Sequence, residues 1–332
     1  MNTLNVAFIG CGAIARKHAE VLRGIGGVRL KTVWNRTPDR AAALAAEFGA
    51  AAVADWRIIF DDPAIAAVYI NTMHNDRRPY VEAAAASGKA IFCEKPLTHT
   101  LADLRALRAI VADSGILFQA GYKTRFHSAM VEARARLAEP EVIHAQVFDE
   151  TWPEGGLNRA DVGGGNLVSQ GVYGTEAAYL LARARPVSVS AAFRNQRHPD
   201  HTPVPLCAVY TFAQGAMATV TAAVAGRAPD PVGKFFVSAA GGNGCLTLLD
   251  RYRRLSWQDG AGRVGGELAF AEDGFARQSE QFLAAVAAGG SSPVPFDEGA
   301  IPSLMIWKAL ESAELGRRVS IDPEVDLALL VP

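Results

Sequence analysis

Cysteine is scarce in this chain: Cys11, Cys93, Cys207 and Cys245 are the only 4 among 332 residues. They lie far apart and form no Cys-x-x-Cys pair. That excludes a zinc site of the usual spacing and the disulfide framework of small secreted domains. All four are expected to be reduced packing residues, and no metal site is expected. An excess of one charge is lacking too. Lys and Arg number 33 against 34 Asp and Glu, a net charge of -1, so no global basic field recruits nucleic acid. No apolar run approaches the ~18 residues that cross a bilayer. The stretch from Met1 to Val6 has no basic segment leading into an apolar run and a small-residue cleavage site. The expectation is a cytoplasmic protein with neither a nucleic-acid nor a membrane partner. What is present is an ordinary globular balance, 50% apolar and 20% charged. That is enough for full cores, at a length that suits about two domains.

The first 120 residues alternate between two patterns. Short apolar runs at 5–9, 30–34, 51–54, 67–70, 90–93 and 117–120 read as strands. Between them lie Ala-rich segments of helical period, and Gly49, Gly88 and Gly115 stand where C-terminal caps belong. The first of these segments places Ile14, His18, Val21, Leu22 and Ile25 on one face. Strands alternating with helices predict βαβ units, a parallel sheet and an α/β Rossmann domain over residues 1–121. After Gly121 the runs lengthen and alternate at period two, at 142–148, 187–193, 206–212, 216–224 and 235–239. That pattern predicts an α+β domain over 122–332, for substrate binding and oligomerisation, with one large, mostly antiparallel sheet and a C-terminal helix free to pack back on the first domain. Helices are expected at 275–288 and 300–315, and a surface loop at 260–266. His198 and His201 flank Asp200 among prolines. No carboxylate or cysteine pair completes a metal shell, so this stretch reads as a solvated loop.

Gly10-Cys11-Gly12-Ala13-Ile14-Ala15 follows the first strand and opens the first helix. In that setting Gly10 permits the tight turn, Gly12 lets backbone approach a pyrophosphate, and Ala15 allows close helix–strand packing. The free N–H groups and the helix dipole then favour phosphates. Gly10, Gly12, Ala13 and Ile14 are the cofactor residues of this turn. An NAD site usually ends its second strand with Asp or Glu, to hold the ribose 2′-hydroxyl. Here the strand runs into Asn35-Arg36-Thr37-Pro38-Asp39-Arg40, with no acid between Glu20 and Asp39. Arg36 and Arg40 suit a 2′-phosphate. NADP is therefore expected rather than NAD, with Asn35, Arg36 and Arg40 in its site. Two solvated surface arginines are the plainer alternative.

Glu94-Lys95-Pro96 follows the fifth strand, at the carboxyl edge where ligands of such sheets bind. A lysine there can reach both cofactor and substrate and donate to a reacting carbonyl oxygen; on the residues alone, a lysine at a strand end is more often a surface residue. Four segments occur in order: Gly10–Ala15, Ser87–Leu97, Gly121–His127 and Gly163–Leu167. Together they resemble the glucose-fructose oxidoreductase / inositol 2-dehydrogenase / rhizopine catabolism family over nearly the whole chain. Glu-Lys-Pro after a fifth Rossmann strand is the most specific mark.

The resemblance implies hydride transfer between a nicotinamide and a sugar- or cyclitol-like hydroxyl. It makes Lys95 the catalytic lysine, in contact with the cofactor as well, and Glu94 the acid near the nicotinamide ribose. Thr72, Met73 and Asn75 stand where members line the cofactor, and Lys123 and Arg125 on the substrate side. Trp152, with Arg159, falls where relatives place residues over the nicotinamide. The chain departs from the family in its Gly-rich segment. Members carry an Asp and then a His where this chain has Ser169 and Tyr173. A tyrosine in the histidine place resembles the branch in which Tyr is the proton donor. Ser169 and Gln170 can bond a sugar hydroxyl but cannot act as a base at neutral pH. Packing against Val172 and Tyr179 is the alternative role for Tyr173. The expected function is thus an NADP-dependent oxidoreductase of a sugar, keto-sugar or cyclitol. The family commonly assembles as a homodimer or homotetramer through the second sheet. A dihydrodiol or imine oxidoreductase on the same scaffold is the first alternative, and a non-enzymatic NADP-binding regulator the second.

Overall fold

The computed structural model describes residues 3–149, 159–194, 205–224, 226, 232–262 and 264–328. Two compact units divide the chain. The first holds the residues up to Tyr122 and the segment Phe275–Gly299; the second holds Lys123–Gly274 and Ala300–Ala328.

The first unit alternates β1 (Leu4–Ile9), α1 (Ala13–Arg23), β2 (Val28–Trp34), α2 (Pro38–Phe48), β3 (Ala51–Ala52), α3 (Arg57–Asp61), β4 (Ile65–Ile70), α4 (Arg78–Ser87), β5 (Ala90–Glu94), α5 (Leu101–Ser114) and β6 (Phe118–Gly121). All neighbours pair in parallel, in the order β3-β2-β1-β4-β5-β6. The order reverses between β1 and β4, which puts a ligand crevice at their carboxyl ends. Helices on both faces explain why β4 and β5 are apolar and buried almost throughout, without alternation. The buried stripe of α1 is Ala15, His18, Ala19 and Leu22. It is rotated from the expected face, because Ala15 and Ala19 let the helix lie close to the sheet. Ile14, Val21 and Ile25 are only half-buried.

The segment 275–299 packs within this first unit, the return of a C-terminal helix that the domain reading leaves open. The helix Phe275–Ala288 sets Phe282 against Tyr69 and Phe92, each 5.6 Å between ring centroids. Ala120 N–H then donates to Val294 O, and Gln119 Nε2 to Gln278 O. An aromatic face on the first sheet, about 25 cal/mol per Å² of apolar area, decides the packing more strongly than chain order.

Among the described residues the second unit is built on nine strands: β7 (Pro140–Asp149), β8 (Pro186–Phe193), β9 (Leu206–Phe212), β10 (Met217–Val224), β11 (Phe235–Gly241), β12 (Gly244–Leu249), β13 (Arg254–Asp259), β14 (Gly265–Ala269) and β15 (Val319–Ser320). Their order is β14-β13-β12-β11-β7-β10-β9-β8-β15. Every pairing is antiparallel except β7 with β10. The helices α6 (Ser128–Arg136), α7 (Ala160–Gly163) and α8 (Val172–Ala182) precede β8. Helix α8 lies tight on the sheet: a Cβ on Gly174 would stand 2.9 Å from Val220 Cγ1.

Strands β12 to β14 escape the sequence pattern, and β14 begins inside the stretch read as a loop. The glycines there serve packing. A Cβ on Gly266 would meet the Trp257 ring at 2.7 Å. Cys207 and Cys245 correct the reading of four packing cysteines. Strand alternation turns both outward and leaves them exposed, while Cys11 and Cys93 are buried. Burial pushes the Cys11 thiol up to about 12 and raises Cys93 as well, so both stay protonated near neutral pH.

Candidate active site

In the first unit the Gly-rich turn sits at the β1/β4 switch point. Gly10 has φ +94°, and a Cβ there would stand 2.9 Å from the Asn71 carbonyl carbon. Any larger residue would collide with the end of β4. Gly12 has nothing within 4 Å of its missing Cβ, and α1 begins there without a side-chain cap. Its first N–H groups are thus open to an anion. Asn35 holds the turn in place: Cys11 N–H donates to Asn35 Oδ1 at 2.9 Å, and Asn35 Nδ2 donates to Thr37 O. A cleft of about 150 Å³ opens here, lined by Gly10, Gly12, Asn35, Arg36, Arg40, Thr72 and Met73 of the expected residues. Ala13, Ile14, Asn75, Glu94 and Lys95 are not in that lining.

Two cleft residues carry no sequence signal. Asn71 ends the β4 edge, is only 8% exposed, and neither of its amide atoms has a partner. Asp76 lines the same cleft. The Tyr80 hydroxyl is pushed up to about 12 by burial and by the Asp76 charge, with Arg36 acting oppositely. Both charges therefore lie near that ring.

Glu94 is buried. Its Oε1 accepts from His18 Nε2 at 2.8 Å, and its Oε2 accepts the Lys95 N–H at 3.1 Å. His18 is wholly buried among Tyr69, Phe92 and Phe275. The Lys95–Pro96 peptide is cis. Lys95 alone between Lys89 and Thr98 is not buried. Its side chain thus stands out of a segment that is otherwise core.

In the second unit a 3₁₀ turn, Lys123–Phe126, carries Lys123 and Arg125. Arg125 pairs with the fully buried Glu176, Nε to Oε1 at 2.7 Å. Ser169 and Gln170 lie in a π-helical turn, Leu167–Gly171, that runs into α8. Such turns often mark functional sites. Ser169 is buried and donates to Asn166 O. Asn166 is 3% exposed and keeps an Nδ2 without a partner. Tyr173 is the one residue of α8 that is not buried, with its ring 4.7 Å from that of Phe235. The packing role had placed it against Val172 and Tyr179, which are both buried. Arg159 pairs with Asp161 at the surface. Trp152, His198, Asp200 and His201 lie outside the described residues.

A family model described as an oxidoreductase family with NAD-binding Rossmann fold, GFO_IDH_MocA, matches residues 4–122, and a GFO/IDH/MocA C-terminal domain model matches residues 130–243. The chain belongs to the GFO/IDH/MocA family. It is 28% identical to dTDP-3,4-didehydro-2,6-dideoxy-alpha-D-glucose 3-reductase of Actinomadura kijaniata, over 66% of this chain and 68% of that protein. It is also 28% identical to scyllo-inositol 2-dehydrogenase (NAD(+)) of Bacillus subtilis strain 168, over 58% of each chain. The chain thus matches somewhat over half the length of these curated relatives. Among solved structures, levoglucosan dehydrogenase in complex with NADH and L-sorbose superposes with a TM-score of 0.88 at 21% identity. That match covers 97% of this chain and 100% of the other, and shows the shared fold.

The residues present fit the dinucleotide that the GFO/IDH/MocA fold implies. The turn has no room for a Cβ at Gly10 and open space at Gly12. The uncapped α1 start offers free N–H groups, and Asn71 buries an amide that no described residue satisfies.

Arg77 is the residue of this family site that the sequence conceals, since it reads like its exposed neighbour Arg78. It is 2% exposed. Its Nη1 donates to the carbonyls of Glu94, Pro96 and Leu97, and its Nη2 to Thr72 O at 2.9 Å. One guanidinium fork thereby ties the loop after β4 to the loop after β5. Arg77→Met is expected to leave four carbonyls short of a donor, at ~3 kcal/mol or more, since each buried orphan costs ~1–3 kcal/mol. That corresponds to a melting point lower by roughly 6 °C or more. Thermal unfolding followed by circular dichroism measures it; a shift under about 2 °C would show that the fork is dispensable.

Proposed function

We propose that this chain is an NADP-dependent oxidoreductase acting on a sugar, keto-sugar or cyclitol-like substrate, with Lys95 and Tyr173 handling the substrate oxygen. The observation that carries the reading is the exposure pattern. Lys95 and Tyr173 are each the one emergent residue of a buried segment, so each ionisable group is held by packed backbone. When bound, a nicotinamide supplies the hydride exchange at carbon. The protein supplies placement, charge and a proton path. Lys95 donates to the substrate oxygen and steadies its alkoxide character. Tyr173 exchanges the proton with that oxygen. Glu94, pinned by His18, holds the Lys95 main chain. Lys123 is assigned to the substrate side. Relatives support the substrate class: a dideoxy-sugar reductase, inositol 2-dehydrogenases and a 1,5-anhydro-D-fructose reductase are each 28% identical to this chain where they align. A panel of inositols, 1,5-anhydro-D-fructose and levoglucosan, followed by NADPH or NADH absorbance, tests the reading. Turnover of none of these or of related keto-sugars would reject it.

The preference for NADP rests on the absent acid after β2 and on Arg36 and Arg40 at the cleft. NADPH is expected to bind at least ~10-fold tighter than NADH, about 1.4 kcal/mol, a modest value for one charge-assisted contact. Fluorescence titration of both cofactors reads this. Equal affinities, or no weakening in Arg36→Ala, would reverse the assignment. A homodimer or homotetramer through the second sheet is part of the same proposal. Its support is an outer face on which Val142, Val187, Val209 and Met217 are 40–51% exposed.

A further inference from the structure

The second unit buries a charged pair that the mechanism above leaves unused. Lys234, just before β11, is 7% exposed, and Asp149, the last residue of β7, is 1% exposed. Lys234 Nζ donates to Asp149 Oδ2 at 2.7 Å and to Gln170 Oε1 at 3.0 Å. It also lies 5.3 Å from the centre of the Phe235 ring, the ring that Tyr173 packs on. Burying two charges is costly and rarely stabilises a fold by itself. A pair of this kind is retained more readily where it orders something else.

What it orders is the polarity of Gln170. A carboxamide can turn by 180° and exchange its donor and acceptor ends. An ammonium can only donate. The oxygen of Gln170 must therefore face Lys234, and the amide N–H groups are what Gln170 can offer a ligand. A cation at the oxygen polarises the amide and strengthens those N–H donors. Gln170 and Tyr173 are three residues apart along adjoining helical turns, which places them on one strip. Ser169 is already committed to Asn166 O.

We propose that Gln170 is a specificity-determining residue that donates to an acceptor oxygen of the substrate, with Lys234 and Asp149 as the residues that position it. The acceptor is a carbonyl oxygen or a hydroxyl lone pair. The inference rests on the oxidoreductase reading and adds to it a polarity that the site demands of its substrate. It also gives a physical role to the position beside Ser169, where the chain departs from its family: a buried ion pair in direct contact with Gln170 stiffens a neutral donor in place of a carboxylate.

Two measurements test it. The first needs no substrate. In protein labelled with ¹⁵N-glutamine, the side-chain signal of Gln170 is assigned by its loss in Gln170→Glu. It is then compared in Lys234→Met/Asp149→Asn, a double variant that removes both charges and leaves neither one buried alone. The signal is expected to move as the oxygen loses its cation; an unmoved signal would overturn the link to Lys234. The second measurement uses the panel compound with the highest kcat/KM. Gln170→Glu keeps an oxygen for Lys234 but loses the donor. It is expected to raise KM ~10-fold or more with kcat within about 3-fold, as when a site loses a hydrogen bond to substrate. The double variant is expected to raise KM in the same direction while melting near wild type. A folded double variant and a Gln170→Glu variant that both keep wild-type KM would reduce the triad to a structural role. If no panel compound turns over, the oxidoreductase reading is what fails, and the ¹⁵N signal still decides whether Lys234 orients Gln170.

Discussion

Lys95→Met is expected to lower turnover about 100-fold or more on the compound that the wild type turns over best. That is the usual scale for losing a positioned acid or electrostatic group. Methionine keeps the length and the apolar stem and deletes only the charge and its donors. The backbone that carries it should not notice, because the main chain is held by other residues. Glu94 takes the Lys95 N–H, and Arg77 takes the carbonyls of Glu94 and Pro96 on either side. The fold should therefore melt near wild type, and NADPH affinity by fluorescence should fall much less than turnover. A variant with near-normal turnover would remove Lys95 from the chemistry. One that lost cofactor binding and turnover equally would make it a cofactor residue only.

Tyr173→Phe is expected to slow single-turnover NADPH oxidation by ~100-fold while binding changes little. The substitution removes one oxygen and preserves the ring that packs on Phe235 at 4.7 Å. Helix α8 is otherwise buried from Val172 to Ala182. A hydroxyl on its one emergent residue is thus placed by a rigid support. If Tyr173 only packs, the change should cost at most ~1 kcal/mol of stability and leave the single-turnover rate alone. Rapid mixing of enzyme–NADPH with the panel substrate separates these outcomes.

Most of the first unit is legible in the sequence because its strands are short, apolar and punctuated by glycines that cap the helices. Gly49, Gly88 and Gly115 all adopt the left-handed conformation that makes glycine the cap of choice. The cofactor turn is legible for the same local reason. Arg77 and Asn71 are not, because nothing near them in sequence says that four carbonyls converge on one and a cleft on the other. The Lys234–Asp149–Gln170 contact joins residues 64 and 85 positions apart, so no spacing rule could reveal it. Strands β12 to β14 are obscured because glycines that make room for Trp257 look like loop glycines. Lys95 is visible in the sequence through its place at the end of the fifth strand and through family resemblance, Tyr173 through resemblance alone; their common isolation within buried segments is visible only in three dimensions.

The placement of the helix Phe275–Ala288 on the first sheet has a consequence for how the chain is made. Synthesis delivers β1 to β6 first, with Tyr69 and Phe92 on a face that Phe282 will cover. At ~5–20 residues per second, the ribosome needs roughly 8–30 s to travel from Tyr122 to Phe282. During that interval α1 covers the aromatic side of the first sheet only in part, through His18, while the whole nine-strand sheet except its last edge strand is already emerging. Completion therefore runs against chain order: the domain that starts first must wait for a helix encoded behind most of its neighbour, and a chain that stops short of residue 275 leaves the ring surface that Phe282 covers open to chaperones or to other nascent chains.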